Sequence, residues 1–405
     1  MSDGVGCAFF GGMSQPTPAP PRRLGSVDAY RGVVMFLMLA EVLRFCAVSA
    51  AIPGSAFWRF LCHQQSHVEW VGCSLHDLIQ PSFSFLVGVV VPFSLASRRA
   101  RGQTIGAMTQ HAVLRALLLI FLGVALHRMR WEFIDTLTQI GLGYVFLFLL
   151  GLRPVREQWI AAGLILGGCW LAFALWPLPG PGFDYGSVGV SADWLKEHGL
   201  KGFEAHWQKN SNPASAFDVW FLNLFPRSEV HIGQPKGLTT LNFIPLLATM
   251  ILGLIAGDVL RSDLAPWPKV RRLAILGVVT LGAGSALGAL RVCPIVKSVW
   301  TPSWVLFSGG WCFLFLAAFY AMVDIAGQKK PVFPFVVLGT NSLTAYCIAL
   351  LYPAFAFNSL KRIVGDEVFK LLGDAYEPAV YGSVVLVGYW VFLFVLHHRK
   401  IFLRI

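Results

Sequence analysis

The chain has 405 residues, of which 56% are hydrophobic and only 13% charged, with a mean hydropathy of +0.64. A soluble domain carries roughly 25% charged residues, so this chain lacks the polar surface that water demands. Its net charge of +11 sits at the ends of apolar blocks, which argues against nucleic acid as a partner and points to topology signals and anionic lipid headgroups.

In chain order, residues 1–23 are rich in Pro, Gly and Ser and lack a basic segment followed by an apolar one. They read as a disordered cytoplasmic tail, and residues 24–405 as one transmembrane domain. "SVDAYRG" opens the first helix, where Asp28 suits the helix dipole and Arg31 lies three residues on. The first apolar block, Gly32–Ala51, holds Glu41 and Arg44 three apart, either a self-neutralising ion pair or the lining of a substrate cavity.

"CHQQSHVEWVGCSLHDLIQPSFSFLVG", from Cys62 to Gly88, gathers titratable groups just before the second block, Ile79–Leu95. The spacing of Cys62, His63, His67, Cys73 and His76 fits no common zinc pattern, and no metal is expected. A histidine titrates near neutrality and can take a proton from an attacking amine or hydroxyl, while a nearby carboxylate holds its tautomer. His67 and Asp77 are candidates for such a pair, although their separation of ten positions does not force contact.

Further blocks follow at Ala112–Leu126, Thr136–Leu152, Trp159–Trp176, Leu238–Leu260, Leu273–Leu290, Trp304–Val323, Phe335–Phe357 and Ala379–Leu396. With the first two they predict an all-α polytopic membrane protein of about ten helices, since a bilayer needs roughly 20 apolar residues per helix. Arg115 lies in the third block near its basic end, where snorkelling is expected. Counting Lys and Arg in the loops gives 17 on one side, with Arg98, Arg99, Arg153 and Arg156 among them, against 8 on the other. That bias places both termini in the cytoplasm and the His67 stretch on the outer face. The long outer loop, 178–237, is a lid, a binding surface or a plain covering. On that face an oxidising compartment would let Cys62 and Cys73 pair, while Cys46, Cys169, Cys312 and Cys347 fall in apolar blocks as packing residues.

Six segments resemble the heparan-alpha-glucosaminide N-acetyltransferase family and its bacterial relatives, in the transmembrane acyltransferase superfamily. They are "SVDAYRG", "HVEWVGCSLHDLIQPSFSFLVG", "LTQIGLGY", "PKGLTTLNFIPLLATMILGLIAG", "KSVWTPSWVLFSGGW" and "LGTNSLTAY", in family order from about Leu24 to the last helix. The resemblance implies a multi-pass acetyltransferase of a bacterial inner membrane. It implies acetyl-CoA as cytoplasmic co-substrate and an amine or hydroxyl of a sugar or glycan as acceptor at the outer face. His67 corresponds to the family's catalytic histidine and Asp77 to its supporting aspartate.

Acceptor-binding candidates are Glu41, Trp70, Lys297, Trp300, Ser303 and Asn341. Trp70, Trp300 and Trp304 offer rings for a sugar to stack on. Candidates for the CoA phosphates are Arg31, Arg98, Arg99, Arg153 and Arg156. Glu41 stands at or next to a position where the family usually has Asn, and Lys236 where it commonly has an acidic residue. A second copy of the chain, as a homodimer, is a further partner weighed. The rival reading is a proton-coupled transporter with Glu41, Arg44, His67 and Asp77 as a relay.

Overall fold

The structure is a computed structural model, and it describes residues 24–127, 129–351, 353–365 and 367–403. The expected tail, 1–23, lies outside the described residues. The helices are α1 (Gly25–Leu39), α2 (Phe45–Ala51), α3 (Ala56–Gln65), α4 (Ile79–Ala100), α5 (Ile105–Leu126), α6 (Thr136–Gly151), α7 (Val155–Ala174), α8 (Ala192–His198), α9 (Pro213–Leu222), α10 (Phe243–Arg261), α11 (Pro266–Ala289), α12 (Pro302–Phe319), α13 (Phe333–Thr340), α14 (Ser342–Leu351), α15 (Pro353–Val364) and α16 (Glu377–His398). Among the described residues, eight helices are long and apolar enough to cross a bilayer, or nine if the bent pair α13–α14 counts as one span. The chain is therefore an all-α, multi-pass membrane protein. Each apolar block of the sequence is helical, but α6 has only 16 residues, and the span holding Asn341 bends by 80° between α13 and α14.

α10 is the hub. It is apolar on all sides and buried along nearly its whole length, packed by α4, α6, α7 and α12. Peripheral helices carry one buried stripe and an exposed apolar face, such as Phe121, Leu164, Val279 and Val387, the surface that lipid solvates. α4 and α10 approach closely because Gly88 and Gly253 face the partner backbone. A Cβ on Gly253 would sit 1.9 Å from the Phe85 carbonyl oxygen, and one on Gly88 would sit 1.9 Å from that of Met250.

The first span breaks where its polar residues lie. After α1 comes a tight turn, Ala40–Leu43, and Arg44 takes a left-handed conformation (φ 50°) before α2. Gln65 at the end of α3 satisfies this break: its Oε1 accepts from the Phe45 N–H at 2.8 Å, and its Nε2 donates to the Ala40 carbonyl at 2.6 Å. Cys46 and Cys62 form a disulfide that ties α2 to α3. The open possibility of a Cys62–Cys73 pair is thereby closed: α3 turns Cys62 toward α2, while Cys73 is free on the loop beyond. The long segment 178–237 is not structureless either. It holds α8 and α9, whose N-caps Ser191 and Asn212 accept backbone N–H groups as their types favour.

Gly253→Val lowers folded stability by about 1–3 kcal/mol, the usual penalty for overpacking, measured as a drop in Tm of the detergent-solubilised protein. Peptide mapping without reductant finds Cys46 joined to Cys62 and Cys73 alkylatable. Cys62→Ser lowers stability by about 3 kcal/mol, as opening a loop of this length implies.

Candidate functional site

The site forms where the first-span turn, the loop after α3, the start of α4 and the loop 290–301 meet. The two loops are joined by a lone antiparallel bridge between Val71 and Val296 and by the Gly72 N–H donating to the Ile295 carbonyl at 3.0 Å. That junction carries Lys297 across to α4. Asp77 precedes α4 in a short turn, and its side chain is 1% exposed.

Asp77 is surrounded by donors. Its Oδ2 accepts from the backbone N–H of Val68 at 3.2 Å and of Ser74 at 3.1 Å. The Ser74 hydroxyl lies 3.0 Å from the same oxygen and 2.5 Å from the Ser66 carbonyl, and its one proton serves one of the two. Oδ1 faces His67 Nδ1 at 2.8 Å and Lys297 Nζ at 3.1 Å. Nδ1 also lies 3.0 Å from Lys297 Nζ, but the carboxylate is the shorter contact and only accepts, which favours the proton on Nδ1 and leaves Nε2 with an open lone pair. The His67 side chain is 44% exposed, so that nitrogen is accessible. Burial pushes its pKa below the ordinary histidine value. The bond to Asp77 opposes this shift, and Lys297 adds to it. The ring is neutral at pH 7, which is the form a base requires. Burial also lowers the pKa of Lys297, with Asp77 pulling the other way.

A second imidazole packs beside the first. The ring centroids of His76 and His67 are 4.6 Å apart, and His76 Nε2 lies 2.8 Å from Glu41 Oε1. By the same argument His76 Nε2 donates to Glu41. Glu41 therefore pairs with His76 and not with Arg44, whose guanidinium lies 4.6 Å from the centre of the Phe357 ring. The four-residue relay of the transporter reading is not assembled, because Arg44 stands apart. Among the described residues no three His, Cys, Asp or Glu converge as a metal cage.

From the other end of the bundle a cavity of about 640 Å³ runs along α4. Its wall includes Phe83, Val87, Val90, Ser94 and Ser97, one helix face by spacing. Asp28, Arg31, Arg115, Thr340 and Ser342 complete its polar part. Phe83 lies six residues past Asp77, so the wall begins about 9 Å of helix rise from the His67–Asp77 pair. Arg115 does not simply snorkel: it donates to the Tyr144 hydroxyl at 3.1 Å and lines this cavity.

Other residues singled out by sequence take different places. Trp70, Trp300 and Trp304 are buried and have no free face for a sugar to stack on. Trp70 packs edge-on against Trp194, and Gly237, at φ 69°, closes over it where a Cβ would lie 2.6 Å from the ring. Trp300 donates to Thr249. Ser303 is buried and donates to the Pro294 carbonyl, so it shapes the loop that holds Lys297 and does not face solvent. Lys297 is 13% exposed and serves Asp77. Asn341 is buried at the α13–α14 bend, and neither side-chain polar atom has a hydrogen-bond partner among the described residues. Arg31 reaches the cavity. Arg98, at the end of α4, contacts Gln103 and His111, and Arg153 approaches Glu157; these two, with Arg99 and Arg156, are not on the cavity wall.

Sequence reasoning passed over His76 as a base and Arg115 as a cavity residue. A charged residue inside an apolar helix was the available signal for Arg115. Nothing in the spacing joins His76 to Glu41.

No family model matches the chain. The heparan-alpha-glucosaminide N-acetyltransferase of Homo sapiens is 24% identical over 444 aligned positions, covering 96% of this chain and 60% of its own length. The protein of that name from Mus musculus is 24% identical over 445 positions, covering 95% and 60%. The chain thus spans about 60% of the length of these relatives, and the similarity supports the family relationship suspected from the motifs.

The electrostatics predict a titration. Because Lys297 adds to the burial that depresses His67, Lys297→Met raises the His67 midpoint, read by NMR of a histidine-labelled sample. An unmoved or lowered midpoint contradicts the arrangement.

Proposed function

We propose that this chain is a membrane acyltransferase that moves an acetyl group from acetyl-CoA to an amine or hydroxyl of a sugar or glycan. The observation that carries this reading is the His67–Asp77 pair, at 2.8 Å with Nε2 open, standing near the end of a long cavity. The names of the two relatives support the acetyl transfer and the glycan acceptor. The loop charge bias supports a donor entering from the cytoplasm and an acceptor arriving at the outer face of a bacterial inner membrane.

The cavity suits the donor. Arg31 and Arg115 offer cationic groups for phosphate and polar atoms of the nucleotide end, with Arg98, Arg99, Arg153 and Arg156 available near the cytoplasmic loops. The Phe83, Val87 and Val90 stripe accommodates the slimmer arm leading toward the thioester.

At the thioester, the acceptor's lone pair attacks the carbonyl carbon as His67 Nε2 takes the acceptor proton. The new bond to carbon forms, the carbon–sulfur bond breaks, and the thiolate recovers the proton from His67. Asp77 stays ionised and stabilises the transient imidazolium. Lys297 shares Oδ1 and adds to the burial that disfavours the charged ring. Attack by Nε2 itself, through an acetyl-histidine, uses the same groups; accumulation of acetyl-enzyme with donor alone marks that route.

The test is transfer of labelled acetyl from acetyl-CoA to a panel of amino sugars and envelope glycans by the purified protein. His67→Ala and Asp77→Asn lower kcat by about 10²–10⁴-fold with CoA binding retained. Undiminished turnover in His67→Ala, or gradient-driven solute accumulation that ignores acetyl-CoA, overturns the reading.

A further inference from the structure

The mechanism above uses one imidazole, yet the site holds two, each with its own carboxylate. His67 donates through Nδ1 to buried Asp77 and leaves Nε2 open. His76 donates through Nε2 to Glu41 and leaves Nδ1 without a hydrogen bond among the described residues. Its side chain is 7% exposed, whereas Glu41 is 58% exposed. One carboxylate is sealed inside; the other faces the medium. With the ring centroids 4.6 Å apart, an acceptor atom touching His67 is within reach of the second pair.

Two bases beside one reacting atom match an acceptor that must lose two protons. A hydroxyl loses one. An aliphatic amine reaches the site as an ammonium group, which has no lone pair, and must shed a proton before it can attack. It then sheds a second during transfer.

We propose that His76 and Glu41 form a second acid–base unit that docks the acceptor as an ammonium and removes its first proton. This rests on the acetyltransferase reading and specifies its acceptor as an amine protonated in solution. The exposed Glu41 carboxylate binds the cation. The ammonium N–H proton passes to His76 Nδ1, and Glu41 stabilises the imidazolium through Nε2–H. The free amine then attacks the thioester carbon, its second proton goes to His67 Nε2 and on to the departing sulfur, and His76 returns its proton to water beside Glu41. Per turnover, one ammonium and one thioester become one amide, one thiol and one released proton. The charged and titratable groups facing His76 are Glu41 from the first span, His67 from the preceding loop and neighbouring Asp77, with Lys297 and Lys236 further out on the loops above.

The experiment compares wild type, Glu41→Gln and His76→Gln, each verified to bind CoA, on two acceptors across pH. One is glucosamine; the other is an alkoxyamine of similar size whose nitrogen is unprotonated at neutral pH. Below the ammonium pKa of glucosamine, both variants lose about 10²-fold in kcat/KM on that acceptor. The loss shrinks to a few-fold once the pH exceeds that pKa, and on the alkoxyamine it is no more than a few-fold at every pH. A loss equal for both acceptors and flat with pH means that the pair only shapes the site, and it overturns the proposal, as does no loss in either variant. Absence of transfer by wild type to both acceptors instead overturns the acetyltransferase reading, and this proposal falls with it.

Discussion

A carboxylate buried at the edge of a lipid-facing bundle must be surrounded by donors, and that constraint organises the site. An unpaired buried charge is prohibitively unfavourable, and breaking one partner of a buried pair typically costs about 3–5 kcal/mol. Asp77 recruits its partners from three places: the loop after α3, the turn that starts α4, and the loop 290–301, which lies 220 residues away in sequence. Each partner is thereby fixed. The loop bearing His67 cannot swing without unpairing Oδ2 from Val68, and Lys297 cannot leave without exposing Oδ1 to a single donor. The ring is oriented before any substrate arrives, the condition that acid–base chemistry rewards.

The bundle supplies the rigidity this needs. Backbone contact between α4 and α10 at Gly88 and Gly253 fixes α4 as a post, and Asp77 stands at its start. Breaks in helices then appear where polar groups are wanted. Irregular backbone at membrane depth is tolerated only where protein satisfies it. The first-span break is closed by Gln65 and held by the Cys46–Cys62 bond, which leaves Glu41 on a short, well-anchored turn. The break at Asn341 sits beside Thr340 and Ser342 on the cavity wall.

Much of this was legible from sequence because lipid imposes a simple rule. Blocks of about 20 apolar residues must be helices, so the helical course of the chain followed directly. The candidate pair His67–Asp77 was visible as chemistry, while its contact depended on how a ten-residue loop closes. What escaped reading was pairing across distance. Cys62 had an obvious neighbour in Cys73 and bonded instead to Cys46, which composition had assigned to packing. Glu41 and Arg44 looked like partners at helical spacing, but the chain leaves the α-helix between α1 and α2, so the spacing argument lost its geometry there. The tryptophans escaped for a related reason. A sequence leaves a Trp open to sugar stacking or interface anchoring, whereas segment 178–237 folds back and buries Trp70 beneath Gly237.

α4 also separates two chemistries that would interfere if mixed. Its first turn carries the titratable cluster, and its later turns form a wall that passes from Phe83 and Val87 to Ser94 and Ser97 beside Arg31. Cationic groups near His67 would depress its basicity further, beyond what burial and Lys297 already do. The polyanionic donor of the proposed function needs just such cations. On that proposal, Arg31 and Arg115 on the cavity wall serve the negative charge at one end of α4 while the neutral base stands at the other. Charges separated by more than about 10 Å are largely screened where water reaches them, so the two demands coexist on one helix.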